Sequence, residues 1–456
     1  MQTTSAAYFA FIAAVFFVYW ASSRSRLLRL AVILFANLLF CARFGVFYVL
    51  LIPAAASIDF LVGLGLMHSN GAFIRRLLVS VSVILNLGLL VGSRHMGAIL
   101  APGWDWIFPL GLSFYTFQAL TYTIDLYRRD IDGTPSILAH MASVSFFPTM
   151  LAGPITRVQD LVTQFERDPK LDPADGGRAF FLIGLGLLKK FLIADYLAEN
   201  LVNRVFDTPD LYSGFEVLVA VFAYSLQLYY DFSGYTDIAR GAGQLVGVKL
   251  PINFDRPYLS LDIAEFWRRW HITFSNWLRD YIFYSLPGKR SRVMPYLNLI
   301  VTMLLGGLWH GVSWNFAIWG ALHGSALAFV RGWQTWRGRW KPPVPWYKQA
   351  PAVVVTYSFV CFTWIFFRAG TLDQAQSVLR RIGSLTFSVA NLSPAIAGVL
   401  LVAAAGCLVT KKMYAAAIDS FSARPVLVHA VVLALIAIAI ESLGGRGSAP
   451  FVYSRF

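Results

Sequence analysis

Charged residues are scarce in this 456-residue chain. Asp, Glu, Lys and Arg make up 14% of it, while 57% is hydrophobic and the mean hydropathy is +0.60. Soluble domains carry about 25% charged residues, so a soluble globular class is excluded. Cysteine is scarce as well. Cys41, Cys361 and Cys407 lie in apolar stretches without paired spacing, which gives neither a disulfide framework nor a zinc site. Reactive thiols need surroundings that stabilise the thiolate, so buried inert cysteines are the expectation. Nucleotide motifs are missing. Gly241, Gly243 and Gly247 have the wrong spacing for a dinucleotide loop and read as close helix contacts. Gly184, Gly186, Lys189 and Lys190 lack the Walker spacing and its hydroxyl residue. No serine sits in a nucleophile elbow, and the seven histidines show no metal-ligand spacing. An enzyme built on this chain is most simply one that uses histidine as a base, with no metal and no permanently bound cofactor.

What the chain has in quantity is apolar length. A spanning helix needs roughly 20 mostly apolar residues. Candidate spans lie in or near 8–20, 30–42, 44–65, 77–91, 106–126, 137–151, 180–197, 215–232, 297–309, 312–330, 352–367, 395–409 and 426–440. Several are short enough to be tilted or re-entrant, so about 11 to 13 embedded helices are expected. The fold class is all-α and polytopic, in one integral membrane domain over 1–456. The formal charge of +14 sits just outside these spans: Arg24, Arg26, Arg29; Arg75, Arg76; Arg128, Arg129; Arg331, Arg337, Arg339, Lys341; Lys411, Lys412. That pattern sets orientation in a bilayer and implies no nucleic-acid partner. No positive charge precedes the first span and three arginines follow it, which predicts an extracytoplasmic N-terminus.

Two polar interruptions are long. Residues 157–178 read as a solvated mixed-charge loop; residues 249–292 are too polar to span and too aromatic for a loop. Projected at 100° per residue, Trp267, Trp270, His271, Phe274, Trp277, Leu278, Tyr281 and Ile282 share one arc, with Arg268, Arg269, Asn276, Arg279 and Asp280 opposite. The spacing predicts one amphipathic interfacial or re-entrant helix with His271 on its aromatic face. Next, 297–330 contains no Asp, Glu, Lys or Arg. As one straight helix it would run about 51 Å against a hydrocarbon core of about 30 Å. It must break, at Gly306-Gly307 or Gly311, and broken backbone at membrane depth lines a cavity or is enclosed by protein. His310 adjoins that break, beside Trp309. His323 lies 13 residues on, about 20 Å along a helix, and reads as a packing residue. The DFSGYTD run holding Asp231 and Tyr235 can orient a substrate or water; a helix-end cap and turn fits it equally.

The stretch DFSGYTDIARGAGQLVGVKLPINFDRPYLSLDIAEFWRRWHITFSNWLRDYIFY resembles the signature of the membrane-bound O-acyltransferase superfamily. Within that superfamily it is similar to the membrane subunit of bacterial alginate O-acetylation systems. LWHGVSWNFAIWGALHG resembles the family's catalytic-histidine block, and FYTFQALTYTIDLYRRD, FFPTMLAGPITRVQD and the closing PFVYSRF match further blocks. The signature core is 105–330, with less specific spans in 1–100 and C-terminal spans in 331–456. The resemblance implies an arc of helices around a central channel, with the family's invariant histidine on His310 and its second position on His271.

It also implies acyl transfer. An acetyl group would pass from a cytoplasmic thioester, acetyl-CoA as the expected donor, to an extracytoplasmic polysaccharide. A periplasmic or membrane-anchored acetyltransferase would be a partner, and the bacterial inner membrane the location. His310 is the expected base and His271 the residue that holds or orients the thioester end. Arg268, Arg269 and Arg279 are candidates for the phosphates of coenzyme A, with lipid headgroup anchoring the alternative. Trp309, Asp231 and Tyr235 are candidates along the substrate path. Two rival functions stay open: D-alanyl transfer to teichoic acid from a carrier-protein thioester, and polysaccharide or lipid transport.

Overall fold

The computed structural model describes residues 4–43, 45–100, 110–170, 172–288, 291–338 and 346–443. Trp106, Arg339, Lys341 and the closing 450–456 segment lie outside the described residues. All regular structure among them is helical, as the sequence predicts. Helix starts follow local chemistry. Ser5, Ser25, Ser136, Asp262, Ser313, Thr371 and Ser393 each accept a hydrogen bond from a first-turn N–H, satisfying a donor the helix cannot.

Three described helices are long and apolar enough to cross a bilayer, at Tyr48–His68, Ala72–Gly92 and Tyr347–Arg368. A fourth is added if the bent pair Pro394–Cys407 and Lys411–Ser422 counts as one broken span. These are the full-length spans among the described residues, whereas the 11 to 13 embedded helices expected from the sequence include shorter, tilted and re-entrant ones. The other apolar segments are short, as in Ala6–Ala21, or carry polar groups on buried faces, as Asn315 and His323 do on Trp314–Arg337.

The described chain forms two compact units. The first comprises Met1–Gly184, Tyr235–Pro251 and Ser420–His429. Within it Asp59, buried in the Val46–His68 helix, accepts from Ser82 Oγ at 2.6 Å and from Asn86 Nδ2 at 2.9 and 3.1 Å. Ser82 Oγ also lies 3.0 Å from Thr123 Oγ1, so neutral donors tie three helices around one carboxylate. Arg75, read from sequence as an orientation charge, is buried and donates to the carbonyls of Leu66, Ser69, Leu126 and Tyr127. Those carbonyls end two helices, where a cation is favoured by the helix dipole.

The expected solvated loop at 157–178 is largely helical. Val158–Glu166 buries Val158, Leu161, Val162 and Phe165, which is the i, i+3, i+4, i+7 pattern of an amphipathic helix. Gly241 behaves as expected of a small contact residue: a Cβ there would lie 2.7 Å from the Ala179 carbonyl oxygen. All three cysteines are buried.

The second unit comprises Leu185–Gly234, Ile252–Asp419 and Ala430–Phe456. Its centre is a helical hairpin, Met294–His310 followed by Trp314–Arg337. The charge-free segment does break, but at 311–313 alone. Gly306 and Gly307 stay helical and are contact residues. A Cβ on Gly307 would collide with the Phe316 carbonyl, one on Gly320 would lie 2.5 Å from Met303 O, and one on Gly324 2.6 Å from Ile300 Cα. Backbones approach this closely only across glycine. The DFSGYTD run is no helix end: it lies inside the continuous helix Gly214–Leu245.

Candidate functional site

Two chain breaks in the second unit place two histidines. The first break corrects the expectation of one continuous amphipathic helix. Ile263–Arg269 stops at Trp270, whose N–H returns to Phe266 O at 2.7 Å, and Ile272–Trp277 begins anew. Asn253 causes the restart by capturing the new helix's free donors. Its carbonyl accepts from Ile272 N at 2.9 Å, and its side-chain oxygen accepts from Thr273 N at 3.2 Å and Thr273 Oγ1 at 2.7 Å. His271 joins the two helices at φ 41°, ψ 56°, in the left-handed region. A non-glycine residue there costs of order 1–3 kcal/mol and persists only where its surroundings hold it. The two faces nevertheless sort as projected: Trp270, His271, Phe274, Trp277 and Tyr281 are buried, while Arg268, Asn276 and Arg279 are exposed.

The second break ends a helix on His310. Gly311 follows in extended backbone and Ser313 caps the next helix. His310 is 5% exposed, yet Val312, Ser313 and Trp314 immediately after it are exposed. Rings surround it: Trp309 at 4.6 Å between centroids, Phe367 at 4.9 Å, Trp319 at 5.5 Å and Phe316 at 5.9 Å. Phe274 brings the two histidines together. Its ring lies 5.0 Å from His271 and 6.0 Å from His310, and 4.8 Å from Trp309.

His323 is nearer to His310 than the about 20 Å a continuous helix gives. The hairpin folds the chain back, and both imidazoles meet Trp319, His310 at 5.5 Å and His323 at 4.8 Å. Its bonding is that of a packing residue. Trp267 Nε1 donates to His323 Nδ1 at 3.2 Å, and Nε2 pairs at 2.9 Å with Thr363 Oγ1, which donates onward to Val360 O at 2.8 Å. This arrangement fixes a neutral Nε2–H tautomer. Replacing His323 by Phe orphans the buried Trp267 Nε1–H, at about 1–3 kcal/mol, and removes the donor to Thr363 Oγ1. The expected result is a lower thermal midpoint, with normal specific activity in the protein that stays folded. A loss of turnover without loss of stability would contradict that.

The remaining sequence candidates separate. Arg269 pairs with Glu265 at 2.5 Å and Arg279 holds Asp280 through two bonds of 2.8 and 3.2 Å, while Arg268 is exposed. Trp309 stands against His310. Asp231 Oδ1 lies 2.8 Å from the ammonium of buried Lys190. Tyr235 is buried within the first unit. Sequence reasoning missed Asn253, Lys190 and Asp195. No local spacing marks the first, and the other two pair five residues apart.

The chain matches the family described as MBOAT, membrane-bound O-acyltransferase family, over residues 106–368. It belongs to that family, and is a multi-pass membrane protein. It is similar to a protein named "Probable alginate O-acetylase AlgI" from Azotobacter vinelandii, at 43% identity over 272 residues, covering 59% of this chain and 52% of the relative. It is similar to the peptidoglycan O-acetyltransferase of Helicobacter pylori at 32% identity over 416 residues, covering 83% and 78%. The teichoic acid D-alanyltransferase of Streptococcus thermophilus matches at 30% over 244 residues, covering 49% and 57%. The chain spans about half the length of the alginate O-acetylase relatives it matches.

Proposed function

We propose that this protein is a membrane O-acetyltransferase that moves an acetyl group from a cytoplasmic thioester, acetyl-CoA, toward the hydroxyl of an extracytoplasmic polysaccharide such as alginate. The observation that carries this reading is the pair of buried imidazoles, His271 and His310, sharing the Phe274 ring at two helix breaks. The relatives named for O-acetyl transfer support the same chemistry. A sugar hydroxyl is a weak nucleophile until its proton is removed as the bond forms. A histidine with ordinary pKa near 6.5 suits that role, and such assistance is worth about 10²- to 10⁴-fold.

His310 takes the hydroxyl proton while the oxygen attacks the thioester carbonyl. When the C–S bond breaks, the same proton passes to the leaving thiolate, so His310 ends as it began. His271 orients the thioester end. Of the three arginines, Arg268 is the best placed to meet coenzyme A phosphates, because Arg269 and Arg279 already hold carboxylates. The reading requires both aqueous phases to reach His310, through a channel between the helices. It also includes the inner membrane, an extracytoplasmic N-terminus and a periplasmic or membrane-anchored acetyltransferase as a partner.

D-alanyl transfer is the second reading, favoured by the match to the teichoic acid enzyme. Native membranes given [14C]acetyl-CoA separate the two. Label in alkali-labile ester on polymer is expected, retained when D-alanine-charged carrier protein is added in excess. Incorporation of D-alanine and none of acetate would overturn the acetyl reading.

A further inference from the structure

Lys190 is 5% exposed, and its Nζ lies 2.8 Å from Asp195 Oδ1 and 2.8 Å from Asp231 Oδ1. Residues five apart on an α-helix point about 140° away from each other, so the sequence gives no hint that Lys190 and Asp195 meet. Lys189–Asp195 is π-helical. The i→i+5 repeat of that helix brings positions five apart onto one side, and such turns gather at functional sites. The same side presents Lys190 to Asp231 on the Gly214–Leu245 helix. Gly234 lets the two segments close: a Cβ there would lie 2.7 Å from Gly186 O and 3.1 Å from Lys189 Cβ. Charge and contact together fix the rotation of this helix at one turn.

That turn carries Phe232, which is fully buried and meets His271 edge-on, at 4.6 Å and 89°. It also meets Phe254 at 5.2 Å and 75°. Asp231 and Phe232 are adjacent and project about 100° apart, so rotating the helix to release Asp231 would carry Phe232 off the imidazole. A buried ion pair is a costly way to gain stability, and its best-attested use is to fix one register. We propose that Lys190, Asp231 and Phe232 are positioning residues for the transfer reaction. The Lys190–Asp231 pair sets the helix so that Phe232 forms the wall holding His271 in its working orientation. This rests on the assignment of His271 to the acyl-transfer site.

The test is transfer from [14C]acetyl-CoA into polymer ester by native membranes, normalised to folded, membrane-inserted protein. Asp231→Asn keeps the Lys190–Asp195 pair, and Phe232→Leu keeps most of the volume. Each is expected to slow transfer by about 10-fold alone and by less than about 2-fold more in a His271→Ala background, since residues acting as one unit are non-additive. A residue that acts on transfer independently of His271 would cost the same factor in both backgrounds, and that outcome overturns the proposal. So does wild-type transfer by both single variants. If Asp231→Asn does not insert, Phe232→Leu alone decides. Full transfer by His271→Ala would remove His271 from the site, and the positioning role with it. A slow His271→Ala with multiplicative doubles removes the positioning role alone.

Discussion

His310→Gln is expected to lower acyl transfer by at least about 10²-fold while the protein stays inserted and folded. The side chain is buried among rings at the end of a helix, and glutamine has similar volume and can still hydrogen-bond. What it cannot do is accept the hydroxyl proton and return it to the leaving thiolate. The measurement is ester-bound acetate formed per folded molecule in native membranes, with size-exclusion behaviour in detergent as the control for folding. Transfer within about twofold of wild type would remove His310 from the proton path, because general-base assistance is worth far more than that.

Gly320→Leu is expected to give almost no folded protein, and Gly320→Ala a markedly lower thermal midpoint. A Cβ at this position lies 2.5 Å from Met303 O and 2.9 Å from Leu304 Cα. Both are backbone atoms of the facing helix, so no flexible side-chain end can move aside. Overpacking of this kind costs about 1–3 kcal/mol for small additions, outweighing the roughly 1 kcal/mol that alanine gains over glycine within a helix. Gly398→Ala is the control. Nothing lies within 4 Å of its Cβ position, so that variant should be neutral or slightly more stable. Equal thermal midpoints for Gly320→Ala and Gly398→Ala would show that the hairpin contact is softer than its geometry.

Much of this arrangement was legible from the residues. Apolar length gave the all-α membrane class, and the lack of charge over 297–330 required a broken helix beside His310. The aromatic arc holds both Phe274 and His271, whose rings meet at 5.0 Å. Periodicity failed where a distant group intervened. The kink at His271 depends on Asn253, which lies outside the repeating pattern, and a projection assumes an unbroken helix. Glycine was ambiguous for a physical reason: the same lack of a side chain suits a break, as at Gly311, and a close crossing, as at Gly307. The Lys190–Asp195 pair was invisible because α-helical spacing separates those positions, and only π-helical geometry unites them.

The burial of Cys41, Cys361 and Cys407 makes the native chain a ready background for topology mapping. A single cysteine introduced near the N-terminus or at the exposed positions 312 or 313 of the hairpin break should react alone with a membrane-impermeant maleimide. Intact cells and inverted vesicles can then report which leaflet each point faces, with no need to strip out the natural thiols.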